Sequence, residues 1–218
     1  MYSNLQLVTA PAVEPVSTSE AKTHLRIDTS DEDTYIGTLI VVARQAVEAY
    51  TNRALCTQTW KAFYSRWPSK TSYCDAPDGY SEVPYWYYDR QRQSKVILPK
   101  PPCQSITHIK TYDDADTATT YASGNYYSRL PSGDRAQCAE IFIRDTAAPP
   151  TPTRVTDGVE VQFVAGYGVA SAVPAALKQA VLCEIAFRYN NRGDCGCDGD
   201  LWSPEAKGLA QPYRIMTL

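Results

Sequence analysis

The sequence predicts an α+β fold: a helical framework of N-terminal helices plus a C-terminal helix, with an inserted antiparallel β-rich subdomain and an extended C-terminal tail. Three observations predict it. Residues 1–55 and 169–193 carry apolar side chains at three- and four-residue spacing, the period of a helix with one buried face. Residues 56–168 carry short β-type runs bounded by turn residues, and hold ten of the 15 prolines and 11 of the 16 tyrosines. After Arg192 the periodicity stops. The chain therefore divides into an N-terminal helical part (1–55), a β-rich insertion (56–168), a C-terminal helix packing on the N-terminal helices (169–193) and an extended tail (194–218).

Each element has its own warrant. Ser17-Thr18-Ser19-Glu20 is a capping-box pattern and starts the first helix at Ser17. Asp28-Thr29-Ser30 breaks it. The second helix runs from Asp31 to Tyr50, with Asp31, Glu32 and Asp33 at the positive end of its dipole. Ile36, Leu39, Ile40, Ala43 and Val47 form its apolar stripe, and Asn52 is its stop. Strands are expected over 57–64, 95–98, 105–112, 125–127, 140–144 and 159–164. In the last of these, Val159, Val161 and Phe163 fall on one face. Asp113-Asp114-Ala115-Asp116 and Pro131-Ser132-Gly133-Asp134 supply turns. The final helix begins at Val173-Pro174, where the fixed φ of proline suits a first turn. Leu177, Val181, Ile185 and Tyr189 form one of its stripes, and Gly193 is placed to end it.

Composition narrows the function. The chain has 218 residues and a net charge of −3, which disfavours general binding to a phosphate backbone. No apolar run approaches the roughly 18 residues that would span a bilayer. No basic region precedes an apolar core at the start, so no signal peptide is expected. Only two histidines occur, His24 and His108, and no Gly-x-Ser-x-Gly, His-Glu-x-x-His or phosphate-loop motif is present. An enzyme is therefore not expected, and no catalytic residue is assigned. The seven cysteines read as reduced thiols. Cys195 and Cys197 lack the further ligands of a closed zinc site, so no metal and no cofactor is expected.

Two segments carry candidate interaction residues. Tyr85, Trp86, Tyr87, Tyr88, Arg90 and Arg92 combine the residue types that dominate protein interfaces, with Glu82 and Asp89 diluting any affinity for nucleic acid. In the tail, Trp202, Leu209, Tyr213, Arg214, Ile215, Met216 and Leu218 are too apolar and aromatic for a solvated segment. They pack on their own domain or add to the surface of a partner.

The ordered set of segments resembles one family. It comprises the run from Glu14 to Arg26, the end of the long helix from Glu48 to Leu55, Gln58-Thr59-Trp60, and Leu98-Pro99-Lys100-Pro101-Pro102 leading into Ser105-Ile106-Thr107. Phe163-Val164-Ala165-Gly166-Tyr167-Gly168, the run from Val173 to Ala180 and Pro212-Tyr213-Arg214 complete it. Together they resemble the head–tail connector, or adaptor, proteins of tailed bacteriophages and gene transfer agents. The chain departs from that pattern in its Tyr-rich 66–95 stretch and in the Cys-Gly-Cys turn.

The resemblance implies a structural virion protein of the neck, between capsid and tail, assembled in the host cytoplasm. It implies a homo-oligomeric ring, commonly a dodecamer, under the portal protein. The ring would contact the next neck or tail protein (stopper or tail terminator) and let duplex DNA pass without sequence-specific binding, with no membrane involved. The tail residues are then expected to bind the portal, and Tyr85–Tyr88 with Arg90 and Arg92 to form a subunit or tail interface. Another neck module, a head-completion, stopper or tail-completion protein, is the alternative; a phage assembly enzyme is the least favoured.

Overall fold

The computed structural model describes residues 2–67, 95–192 and 202–215. Strand β1 (Asn4–Thr9) leads into helices α1 (Thr18–Leu25) and α2 (Asp33–Thr51). Strands β2 (Gln58–Tyr64), β3 (Lys95–Leu98), β4 (Cys103–Tyr112), β5 (Ala118–Tyr121), β6 (Tyr126–Arg129), β7 (Ala139–Ile143) and β8 (Val159–Ala165) follow. Helices α3 (Ala175–Asn190) and α4 (Pro204–Ala210) close the described chain. The fold class is α+β, with helices at both ends of a strand-rich middle.

The helices share one core. Ser17 caps α1 reciprocally: its hydroxyl accepts from the Glu20 amide at 3.2 Å, and its own amide donates to the Glu20 carboxylate at 2.7 Å. Arg26 and Asn52, both left-handed, end α1 and α2. Ile36, Leu39, Ile40, Ala43 and Val47 of α2 bury against Leu177, Ala180, Val181 and Ile185 of α3. Each of the leucine, isoleucine and valine side chains contributes about 1.5–3 kcal/mol when removed from water.

The strands form two antiparallel sheets. One has the order β1-β2-β8-β4-β5 and the other the order β3-β7-β6. A second core holds Ala62, Tyr64, Val96, Leu98, Ile109, Ile141, Val161 and Phe163. The loop after β8 fastens this part to the helices. The Gly166 amide donates to the Pro102 carbonyl, the Tyr167 amide to Leu55 and the Thr57 amide to Gly168. At Gly166, φ is +118°, and an added Cβ would lie 2.2 Å from the Cys56 carbonyl oxygen, so only glycine fits.

Two expectations are corrected. Residues 1–55 are not helical throughout: Asn4–Thr9 is a strand on the edge of the larger sheet, paired with β2, so the strands of the middle segment do not complete that sheet by themselves. Nor is the described end of the chain extended. Ser203 accepts from the Ala206 amide as an N-cap, and Pro204 takes the first helical position, where the missing N–H costs nothing. Burial of Ala206 and Ala210 against the helical core then holds α4 in place. Strand β5 is a further element that the sequence reading does not single out. Among the described residues no helix is long and apolar enough to cross a membrane.

Candidate interaction surfaces

The end of the chain is built onto the C-terminal end of α2. The Trp202 ring lies 5.1 Å from that of Tyr50, and the Arg214 guanidinium lies 5.1 Å from the same ring. The Tyr50 hydroxyl bonds the Gln211 side chain, and the Ile215 amide donates to the Thr51 carbonyl at 2.9 Å. Arg53 lies beneath them, fully buried. Its Nε donates to the Tyr213 carbonyl at 2.5 Å and its Nη1 to the Ala136 carbonyl at 2.7 Å. One side chain thus joins the tail, the helical core and the turn before β7. Leu209 and Tyr213 pack against the helical core. Of the expected tail residues, Trp202, Leu209, Tyr213, Arg214 and Ile215 come together here, with Arg214 exposed. Met216 and Leu218 lie outside the described residues, as do Tyr85, Trp86, Tyr87, Tyr88, Arg90 and Arg92.

Two buried carboxylates brace the helices. Glu48 accepts from Arg44, Gln58 and the Leu55 amide at 2.7, 2.7 and 2.8 Å, and Arg44 also holds Glu14 at 2.7 Å. Glu184 accepts from Arg188 at 2.7 Å and from the Ser203 amide at 3.0 Å, which fixes the start of α4. These groups satisfy one another at the joints between elements, as buried charges require.

The outward face of the larger sheet centres on Glu160, a buried residue of β8. The His108 Nε2 and the Tyr112 hydroxyl each lie 2.8 Å from its carboxylate, and the Lys61 amino group lies at 3.1 Å. Burial by itself would raise this carboxyl, but the bonds from His108, Tyr112 and Lys61 outweigh it and hold the group below its ordinary value. The arrangement is a charge cluster whose members satisfy one another. Sequence reasoning missed it, and missed Arg53 and Glu48. The only signal is an acidic residue between the inward-facing Val159 and Val161, and its partners are 48, 52 and 99 positions away.

Burial favours the protonated form of the described thiols. Cys56, Cys103, Cys138 and Cys183 are free, and burial pushes Cys56 up to about 11 and Cys103 up to about 12. Among the described residues no three His, Cys, Asp or Glu side chains are grouped to hold a metal. Cys74, Cys195 and Cys197 lie outside the described residues.

Comparison with known proteins bears on these surfaces. Residues 16–113 match the family described as "Phage gp6-like head-tail connector protein". The resemblance drawn from the sequence therefore has a counterpart over the segment that runs from α1 through β4. No curated protein matches the chain. Among solved structures, a chain from the neck of an empty gene transfer agent particle computed with C6 symmetry superposes with a TM-score of 0.73 at 23% identity, over 99% of this chain and 97% of that one. A chain from the virion of a native gene transfer agent particle gives 0.70 at 24% identity, over 98% and 96%. A chain from the neck of a native particle computed with C12 symmetry gives 0.68 at 22%, over 99% and 97%. At these identities the likeness is one of fold.

Proposed function

We propose that this chain, whose residues 16–113 match the head–tail connector family, is a structural adaptor of a virion neck. It forms a ring under the portal, joins capsid to tail and extends the channel through which duplex DNA passes. The observation that carries this reading is the coincidence of the family match with a fold shared, over nearly the whole chain, with neck proteins of gene transfer agent particles. Those necks are described with six- and twelve-fold symmetry, which supports a closed ring, commonly of twelve copies. The next neck or tail protein, a stopper or tail terminator, is the partner on the far side.

The contacts divide between the two segments that the sequence singles out. Trp202, Leu209 and Tyr213 are seated on the chain's own helices, so they hold the tail in place. The exposed Arg214, with Ile215, Met216 and Leu218 beyond it, then reaches the portal, where the guanidinium pairs with a carboxylate. Tyr85, Trp86, Tyr87, Tyr88, Arg90 and Arg92 provide the contact to a neighbouring subunit or the tail.

The test is the native mass of the protein, alone and mixed with portal protein, for the full chain and for a chain lacking residues 214–218. A multi-subunit ring that captures portal, with capture reduced more than ring formation by the deletion, supports the reading. A monomer that ignores portal overturns it. Equal capture by the shortened chain moves the portal contact elsewhere.

A further inference from the structure

Among the described residues Lys100 forms no ion pair: Glu48 attracts it only from a distance, and burial outweighs that attraction. It adopts a left-handed backbone at φ +60°, a conformation that costs a non-glycine residue energy and is retained where the surroundings impose it. Its side chain is half-buried, with the amino group 5.8 Å from the centre of the Trp60 ring. Among the described residues no carboxylate or carbonyl accepts a hydrogen bond from it. The Trp60 indole N–H is buried and also lacks an acceptor among the described residues. Both residues line a cavity of about 260 Å³ whose walls include Leu7, Pro11, Ala49 and Arg53. The one carboxylate in that wall, Glu48, is already taken up by Arg44, Gln58 and the Leu55 amide. A space of this kind accepts a carboxylate on a short stem.

The same chain offers such a group elsewhere. In the turn between β4 and β5, Asp113 accepts from the amides of Ala115 and Thr117, and Asp116 pairs with Arg154 at 3.2 Å. Asp114 between them is exposed, and its carboxylate has no partner among the described residues. This turn cannot fill the cavity of its own copy. The cavity lies beside Gln58 of β2, which faces Ala165 at the end of β8. The turn follows Thr111, which faces Val159 at the other end of β8, and it sits on the far edge of the sheet order β1-β2-β8-β4-β5. The two features occupy diagonally opposite corners of one sheet.

We infer that Asp114 of one copy enters the Lys100–Trp60 cavity of the next, so that the five-stranded sheets are linked head to tail around the ring. The inference rests on the ring reading above and names one contact within it. A heterologous contact needs two complementary patches on different sides of the same subunit, and these corners supply them. The sheet is about 23 Å along seven strand residues and about 19 Å across five strands. The strands are therefore inclined to the ring axis by about 50° when the two corners stand at one height. Burial holds the Lys100 amino group below its ordinary value, which an incoming carboxylate reverses. The pair sets register and partner choice, while the wider surface supplies area.

The test uses the full chain and four proteins: wild type, Lys100→Glu, Asp114→Lys and the double charge swap. Native mass at a fixed concentration reads assembly, and thermal melting reads folding. Each single variant is expected to lower ring assembly about tenfold or more, and the double variant to recover most of it. If Lys100→Glu melts well below wild type, Asp114→Lys decides the matter, because its site is an exposed turn. Rings formed by wild type and equally by Asp114→Lys overturn the pairing and leave the ring reading standing. Wild type that stays monomeric with and without portal overturns both.

Discussion

Arg192 holds Glu32 with both terminal guanidinium nitrogens, at 2.7 and 2.9 Å, and so ties the end of α3 to the start of α2. The guanidinium also lies 4.3 Å from the Tyr35 ring and 4.0 Å from the Tyr189 ring, and the Tyr189 hydroxyl bonds the same carboxylate. These contacts, the Arg192 bonds above all, hold the Glu32 carboxyl down at about 2. A folded-state value below the unfolded one stabilises the fold above the unfolded pKa. That stabilisation disappears as pH falls through the folded value. Replacing Glu32 with Gln should therefore lower the melting temperature at pH 6, and the difference from wild type should shrink steadily from about pH 4.5 to pH 2. Melting curves across that range check it, and high salt should weaken the effect because the site is open to solvent.

Gly166→Ala should destabilise by about 3 kcal/mol or more. Alanine there takes a left-handed backbone and places its Cβ 2.2 Å from the Cys56 carbonyl oxygen, which is main chain and cannot swing aside. Urea unfolding measures the change. Gly133→Ala is the comparison: it shares the positive φ but meets nothing within 4 Å, so it should cost about 1 kcal/mol.

Arg53→Ala should cost about 3 kcal/mol, because it removes the donors to the buried carbonyl of Ala136 and the half-buried carbonyl of Tyr213. The loss should be local first. Hydrogen exchange at the Ile215 amide, bonded to Thr51, should quicken before exchange in the middle of α2.

Val47→Asp should prevent folding or ring formation, since it puts an unpaired carboxylate into the core shared by α2 and α3 at a cost of about 3 kcal/mol or more. Leu39→Asp should behave alike. Circular dichroism and native mass read the two outcomes, and soluble rings from both variants would contradict the burial of these positions.

The parts that the sequence discloses are those whose determinants lie within a few residues. The Ser17–Glu20 capping box, the Ile36–Val47 stripe and the alternation of Val159, Val161 and Phe163 are local patterns, and the structure contains all three. Strand β1 escapes because it lies on an edge with most of its residues exposed, so no burial pattern marks it. Helix α4 escapes because Pro204 reads as a breaker until it is known to stand at the first helical position. The candidate surfaces are harder still. Composition identifies Trp202, Leu209 and Tyr213 as anchors, but whether they grip their own helices depends on Tyr50 and Arg53, about 150–160 positions earlier. Lys100 carries no sequence signal beyond its place between prolines, since its lack of an ion-pair partner among the described residues is a fact about three-dimensional neighbours.

The position of β8 in its sheet has a consequence for biosynthesis. It is the middle strand of five, yet it is the last of the five to be synthesised, and it pairs Gln58–Tyr64 on one side with Cys103–Thr111 on the other. While the ribosome is still short of residue 165, the pair β1–β2, whose strands helices α1 and α2 separate in the chain, and the pair β4–β5 have open inner edges. Closing the sheet means joining segments about a hundred positions apart, the kind of long-range pairing that folds slowly. Helix α3 follows immediately and covers the α2 stripe. The nascent chain thus spends most of its translation with exposed strand edges and an uncovered amphipathic helix, both of which attract chaperones or other unfinished copies. The protein acquires its protective cover in the last quarter of its synthesis.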